Sequence, residues 1–135
     1  MNRKQIFATN RTMIKSLSAL LEEGEVLHTP IFAVAEKIGQ KKLRAPCFVG
    51  LTESVLLVAL LNVSATQIEW TTRVPLEMEA LEVKRSLLLK QFIIKIMFSE
   101  GEEVQIRVSR KVLLGDFGNQ EANLAGFVER LCVHE

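Results

Sequence analysis

The sequence predicts a mainly β domain with some α structure, a seven-stranded antiparallel sandwich or open barrel closed by a C-terminal helix. The clearest observation is a β-hairpin, because apolar residues occupy every second position over 92–98 and 104–108, on either side of a Glu100–Gly101 turn. Near the C-terminus, apolar residues follow the helical spacing i, i+3, i+4 and i+7, at Leu124, Phe127, Val128 and Leu131. Antiparallel hairpins followed by a helix favour this architecture over a parallel α/β fold.

The first 24 residues are predicted to form an amphipathic helix, since apolar residues recur there at helical spacing and Gly24 suits a helix end. We therefore divide the chain into an N-terminal helical extension, 1–24, and a β domain, 25–135. Glu22 and Glu23 in the last turn oppose the helix dipole, so the helix is expected to depend on docking its apolar face. The docking surface is either its own sheet or a second subunit.

Five more strands are predicted from apolar and β-branched runs, over 26–36, 47–51, 54–61, 67–74 and 81–85. Pro30 in the first of them cannot donate a ladder hydrogen bond, which implies an edge position or a bulge. The run over 54–61 is so continuously apolar that both faces of that strand are expected to be covered. Residues 37–44 are interpreted as a polar, basic loop, and Trp70, in the fourth strand, is assigned to the core.

Length and charge predict one small soluble domain. The chain has 135 residues, of which 48% are hydrophobic and 24% charged, and its net charge is +1. A charge so close to zero gives no general attraction to nucleic acid. The sequence also lacks an RNP-like aromatic pair and contains no tyrosine, which argues against base stacking, so we predict no nucleic-acid partner. No uncharged run reaches the length of a bilayer span, and Arg11 and Lys15 interrupt any signal-like stretch, which predicts a cytoplasmic location.

The sequence offers little for catalysis. Cys47 and Cys132 lack metal-binding spacing, neither His28 nor His134 has a second ligand nearby in sequence, and Asp116 suits a cap before the last helix. No nucleophile, phosphate-loop or dinucleotide motif is present. We therefore predict that the protein is not an enzyme and uses no cofactor and no metal. An unrecognised active site would require a deep pocket that brings His28 beside carboxylates.

Four segments occur in an order that resembles a known family. They are VGLTESVLLVALL at 49–61, RVPLEMEALEVKRSLL at 73–88, FIIKIMFSEGEEVQIRV at 92–108 and GNQEANLAGFVERL at 118–131. Together they resemble the bacterial pleckstrin-homology (PH)-like domain family over about residues 25 to 133. The resemblance implies seven strands with a closing helix, no catalytic role, and binding of phosphoinositides, proteins or peptides.

The resemblance also implies a candidate site for an anionic group at Lys37, Lys41, Lys42 and Arg44. These residues are similar to the K-x(n)-K/R-x-R pattern that lipid-binding PH domains place between their first two strands. Ammonium and guanidinium donors in such a cluster suit a phosphate. A lysine-rich hairpin is also a common way to keep a surface soluble, and Glu100, Glu102 and Glu103 are expected to oppose an anion at the same open end.

These observations predict a non-catalytic binding module of unknown specific ligand. Its leading mode is contact with a protein partner or self-association, since the N-terminal helix presents an apolar stripe that a second subunit would cover. The alternative is binding of an anionic phospholipid or membrane surface through the basic segment 37–44.

Overall fold

The computed structural model describes residues 7–86, 90–112 and 117–135. In these ranges two helices, α1 (Asn10–Ser18) and α2 (Gln120–Val133), flank seven strands. The strands are β1 (His28–Gly39), β2 (Lys41–Leu51), β3 (Val55–Leu61), β4 (Ile68–Pro75), β5 (Met78–Ser86), β6 (Gln91–Phe98) and β7 (Glu103–Ser109). The predicted order of helix, seven strands and helix is confirmed. No helix within the described ranges has the length and apolar character needed to cross a bilayer.

The strands form one antiparallel sheet in the order β4-β3-β2-β1-β7-β6-β5, so β4 and β5 are its edges. The sheet curls on itself, which brings apolar side chains of β2 and β3 together with those of β6 and β7 in one core cluster. We call this the first core cluster. The alternation predicted for the β6–β7 hairpin is confirmed, and the inward residues include Ile94, Ile96 and Ile106, each at most 1% exposed. The third strand is covered on both faces, as its uninterrupted apolar run predicts.

Helix α1 packs against the outer face of its own sheet. Met13 and Leu17 are buried and belong to a second core cluster with Phe48, Leu57 and Leu61. Gly50 makes room for this packing, since a Cβ at that position would lie 2.7 Å from Leu27 Cδ1 and 3.2 Å from Leu17 Cδ1. The apolar stripe of α1 is therefore occupied within the molecule.

The helix is shorter than the sequence predicts. It ends at Ser18, whereas Gly24 lies in a later turn with a φ of 82°. Residues 1–6 of the predicted helix, and Asp116 with its predicted capping role, lie outside the described residues. Glu22 and Glu23 therefore lie beyond the C-terminus of the helix and not in its last turn, where they would oppose the helix dipole.

Arg73 of β4 fastens the segment after α1 to the sheet. Its guanidinium donates to both carboxylate oxygens of Glu25, at 2.6 and 2.8 Å, to the Leu20 carbonyl at 2.9 Å and to Glu22 at 3.1 Å. These hydrogen bonds from Arg73, with a further one from the Glu22 backbone, lower the pKa of Glu25 to about 2. Docking of α1 therefore combines apolar burial with a charge-assisted contact.

Helix α2 closes one end of the curled sheet with Leu124, Phe127 and Leu131, which join the first core cluster. Gln120, only 3% exposed, completes the sheet where β7 stops pairing with β1. Its side-chain oxygen accepts from the Phe32 N–H at 3.0 Å, and its amide nitrogen donates to the carbonyls of Phe32 at 2.7 Å and Ser109 at 3.1 Å. One side chain thus satisfies backbone groups that would otherwise lie unpaired under the helix.

Two sequence predictions for the start of the sheet have different outcomes. The bulge implied by Pro30 is confirmed, because the β1–β2 register shifts between His28 and Ile31. The loop predicted over 37–44 is wrong: β1 and β2 pair there, with Ile38 opposite Lys41, and only Gly39 and Gln40 form the turn. A glycine with a φ of 65° at the first turn position suits a tight two-residue hairpin, so charged residues continue the strands.

Candidate functional site

A cavity of about 260 Å³ lies at the end of the sheet opposite α2, where the edge strand β4 faces the β6–β7 turn. We call it the mouth pocket. Its apolar walls come from four strands, and its charged residues come from the end of the β6–β7 turn and the first position of β7. The lining residues are Ile38, Gly39, Trp70, Thr72, Val74, Phe98, Glu102, Glu103 and Val104.

Trp70 is the large hydrophobic side chain of this pocket that is exposed to solvent. Trp70 pairs with Leu60 in the β3–β4 ladder. Val74, four residues further along β4 and therefore on the same face as Trp70, packs against the first core cluster. Trp70 is thus on the inner face of the sheet. It is nevertheless 45% exposed, because no strand pairs with the far edge of β4 in the described sheet. The sequence-based assignment of Trp70 to the core is therefore wrong, since an inward position at the open end faces the pocket and solvent.

Both charged residues that line the mouth pocket are carboxylates. Glu103 is shared between two lysines, with Lys37 Nζ at 3.3 Å and Lys95 Nζ at 3.8 Å. Glu102 is exposed, and within the described part of the chain its carboxylate forms no ion pair. The predicted meeting of the basic segment with the glutamate turn is thus observed for Lys37 and Glu103.

The four predicted site residues do not form one cluster. Lys37 and Lys42 are cross-strand neighbours on the outer face, and Arg44 lies on that face too. Lys41 is paired with Ile38, whose side chain lines the pocket, and so lies on the inner side. Lys41, Lys42 and Arg44 are exposed and form no ion pair with the side chains that the structure describes, which do not include that of Glu100, whereas Lys37 is held by Glu103. Three of the four cations therefore remain available to a ligand.

Beside this hairpin, the outer face carries a second hydrogen-bonded group centred on Glu36. Its carboxylate accepts from Gln105 Nε2 at 3.0 Å and from Arg107 Nε at 3.1 Å. Partial burial alone would raise the pKa of Glu36, but these two hydrogen bonds, with the positive charges of Arg107 and Arg44, hold the pKa below its ordinary value. Around Glu36 the outer face is thus occupied by contacts within the sheet.

The residues considered for catalysis are dispersed. His28 Nε2 lies 3.0 Å from Glu53 Oε1, a carboxylate that is 83% exposed, at the α2 end of the sheet. The cavity beside Glu53 measures about 80 Å³, far below the roughly 300 Å³ at which ligand pockets begin. Cys47 is buried, and that burial raises the pKa of its thiol to about 12, whereas Cys132 is exposed. In the part of the chain that is described, the histidine has one surface partner and no deep pocket.

Comparison with solved structures extends the description of the fold. The hSac2 domain from human phosphoinositide phosphatase Sac2 aligns with 98% of this chain and 84% of its own, with a TM-score of 0.57 and 15% identity. The fold is PH-like. The C-terminal domain of an unknown protein from Leishmania infantum aligns with 90% of this PH-like chain and 94% of its own, with a TM-score of 0.52 and 10% identity.

The DH/PH domains of p115-RhoGEF align with 94% of this chain and 36% of theirs, with a TM-score of 0.48 and 12% identity. No protein-family model matches the sequence, and no curated protein matches it. At identities of 10 to 15% the likeness concerns the fold, and the ligand has to be argued from the residues of this chain.

Proposed function

We propose that this chain is a non-catalytic PH-like binding module that acts through protein contacts, with the mouth pocket receiving a side chain of a partner protein. The observation that carries the proposal is Trp70, which is 45% exposed above an apolar pocket. Tryptophan is enriched at protein interfaces because its large ring gains much on burial while its N–H stays hydrogen-bonded. An exposed tryptophan beside Val74, Phe98 and Val104 therefore supports a contact surface.

The size of the mouth pocket supports a protein partner over a free small molecule. Pockets that enclose a whole ligand measure roughly 300 to 1,000 Å³. The mouth pocket, at about 260 Å³, falls just below this range and suits one large side chain of a longer segment. The remainder of such a segment would extend beyond the pocket, along surfaces such as the unpaired edge of β4.

Self-association is the other mode of protein contact that the sequence predicts. Its support from the N-terminal helix is weakened by the buried positions of Met13 and Leu17 on their own sheet. We therefore base the proposal on the open end of the sheet, where a second copy of the chain is one partner among others.

Truncation of Trp70 tests the proposal. Random peptides displayed on phage are selected against the full chain, and the binding of the recovered peptides is measured on Trp70→Ala. Loss of a buried aromatic anchor typically costs about 2 kcal/mol or more, so we expect binding to weaken at least about thirtyfold.

The matched control is Val133→Ala, which truncates an 80% exposed apolar side chain at the end of α2. It should leave peptide binding unchanged. Peptides that bind Trp70→Ala as tightly as the original chain would contradict a protein site in the mouth pocket, as would repeated selections that recover no peptide.

The second candidate function is binding of an anionic phospholipid surface. The observation that favours it is the exposure of Lys41, Lys42 and Arg44 on one hairpin, without ion pairs to described residues. Cations close to an anionic membrane each contribute about 1 kcal/mol at moderate ionic strength. Glu102 and Glu103 in the neighbouring turn oppose this attraction, which is why we place this candidate second.

Sedimentation with phosphatidylserine-containing liposomes at low and high salt tests this candidate. Salt-sensitive binding by the original chain should fall at least about tenfold in the double variant Lys42→Glu, Arg44→Glu. The double variant Lys15→Glu, Lys84→Glu changes the net charge equally, away from the hairpin, and serves as the control. No sedimentation of the original chain at low salt would exclude the lipid candidate.

A further inference from the structure

We propose that the side chain received by the mouth pocket is cationic, an arginine or lysine carried by a segment of the partner protein. This inference rests on the proposed function and specifies its ligand. The inserted stem would lie along the apolar wall, and its charged end would meet the ring of Trp70 and the carboxylate of Glu102.

The charge of the pocket supports a cation. Among the side chains that the structure describes, the charged ones that line the pocket are Glu102 and Glu103. Lys37 and Lys95 already contact Glu103, which is 14% exposed, so that carboxylate is largely neutralised within the molecule. Glu102 is exposed and has no ion pair among the described residues, so its charge is available to a ligand.

The aromatic wall supports the same ligand. Tryptophan offers the strongest cation–π surface of the side chains, worth about 0.5–1 kcal/mol when exposed and about 2 kcal/mol when desolvated. Arginine and lysine also carry long apolar stems, which would cover Val74 and Phe98 while the charged head stays near water. A purely apolar side chain would pack against the apolar wall of the pocket but would leave Glu102 without a counter-charge.

The neighbouring basic hairpin limits this attraction without cancelling it. Lys42 and Arg44 lie on the outer face of the sheet, away from the pocket, and Lys37 is held by Glu103. Lys41 lies on the inner side of the hairpin and forms no ion pair with the described side chains. Replacement of Lys41 by glutamine is therefore expected to strengthen binding of a basic ligand, by about two- to threefold.

The experiment uses the fact that Trp70 is the only tryptophan of the chain, so intrinsic fluorescence reports on the pocket directly. The probes are acetylated tetra-arginine amide, its citrulline counterpart, which has nearly the same shape but no charge, and tetra-glutamate. We expect saturable fluorescence changes with tetra-arginine and at least about tenfold weaker binding of tetra-citrulline. Glu102→Gln should weaken tetra-arginine binding about three- to fivefold.

The matched control is Glu129→Gln, which removes one exposed carboxylate from α2 at the other end of the molecule and should leave the affinity unchanged. Equal binding of the arginine and citrulline peptides, or equal affinity of Glu102→Gln and Glu129→Gln, would overturn the cationic ligand. Such a result leaves the proposed function standing if phage-selected peptides still require Trp70. If neither these probes nor the selected peptides bind at Trp70, both proposals fall.

Discussion

Replacement of Gln120 by leucine is expected to lower the free energy of unfolding by about 3–5 kcal/mol. The substitution leaves the Phe32 N–H and the carbonyls of Phe32 and Ser109 without their observed partners, at a position where the Gln120 side chain itself is only 3% exposed. A buried polar group without a partner costs about 1–3 kcal/mol. Urea unfolding followed by circular dichroism measures the difference.

The control for this prediction is Gln67→Leu, the same substitution at an exposed position in the β3–β4 connection. It should change stability by less than about 0.5 kcal/mol. If Gln120→Leu is no more destabilised than Gln67→Leu, the side chain does not complete the sheet as described.

The second large effect is expected at α1, where Leu17→Ala should lower stability by about 2–5 kcal/mol. Leu17 is fully buried between α1 and the outer face of β2 and β3, so its truncation leaves a cavity in the second core cluster. Ile14 on the same helix is 41% exposed, and Ile14→Ala should cost less than about 1 kcal/mol. Thermal unfolding of both variants gives the comparison.

Repeating the Leu17→Ala measurement over a hundredfold range of protein concentration identifies the surface on which α1 docks. Docking on its own sheet predicts that the midpoint of unfolding is independent of concentration. Docking on a second subunit would make the midpoint rise with concentration, because association stabilises the folded state by mass action. A concentration-dependent midpoint would therefore restore the N-terminal helix as a basis for self-association.

The sequence predicts most of the fold because its strongest signals come from buried positions. Every inward residue of β6 and β7 is apolar, and the stripe of α2 is uninterrupted, so the periodicity is clear. The sequence does not predict the pairing of β1 with β2 over 37–44, because Lys37, Lys41, Lys42 and Arg44 obscure the strand pattern. The available signal was Gly39, a turn residue between Ile38 and Leu43, both of which pack against the core.

The candidate site is less predictable, because it depends on where the sheet is open. The period of β4 places Trp70 inward, but the position is accessible because β4 is an edge strand of the described sheet. Thr72, an inward polar residue, was the local indication that this face is not wholly core. The sequence predicts that Glu102 opposes an anion at the open end, but it does not indicate that Glu102 lines a pocket. The bacterial origin, the cytoplasmic location and the absence of catalysis stay predictions.

The most direct test of the account is an NMR titration of the ¹⁵N-labelled full chain with a phage-selected peptide. Binding in the mouth pocket predicts that the largest amide shifts occur at Ile38, Gly39, Trp70, Thr72 and Glu102, with little change in α1 or α2. Shifts confined to Lys42 and Arg44 on the outer face, or centred on α1, would contradict a binding site at the open end of the sheet.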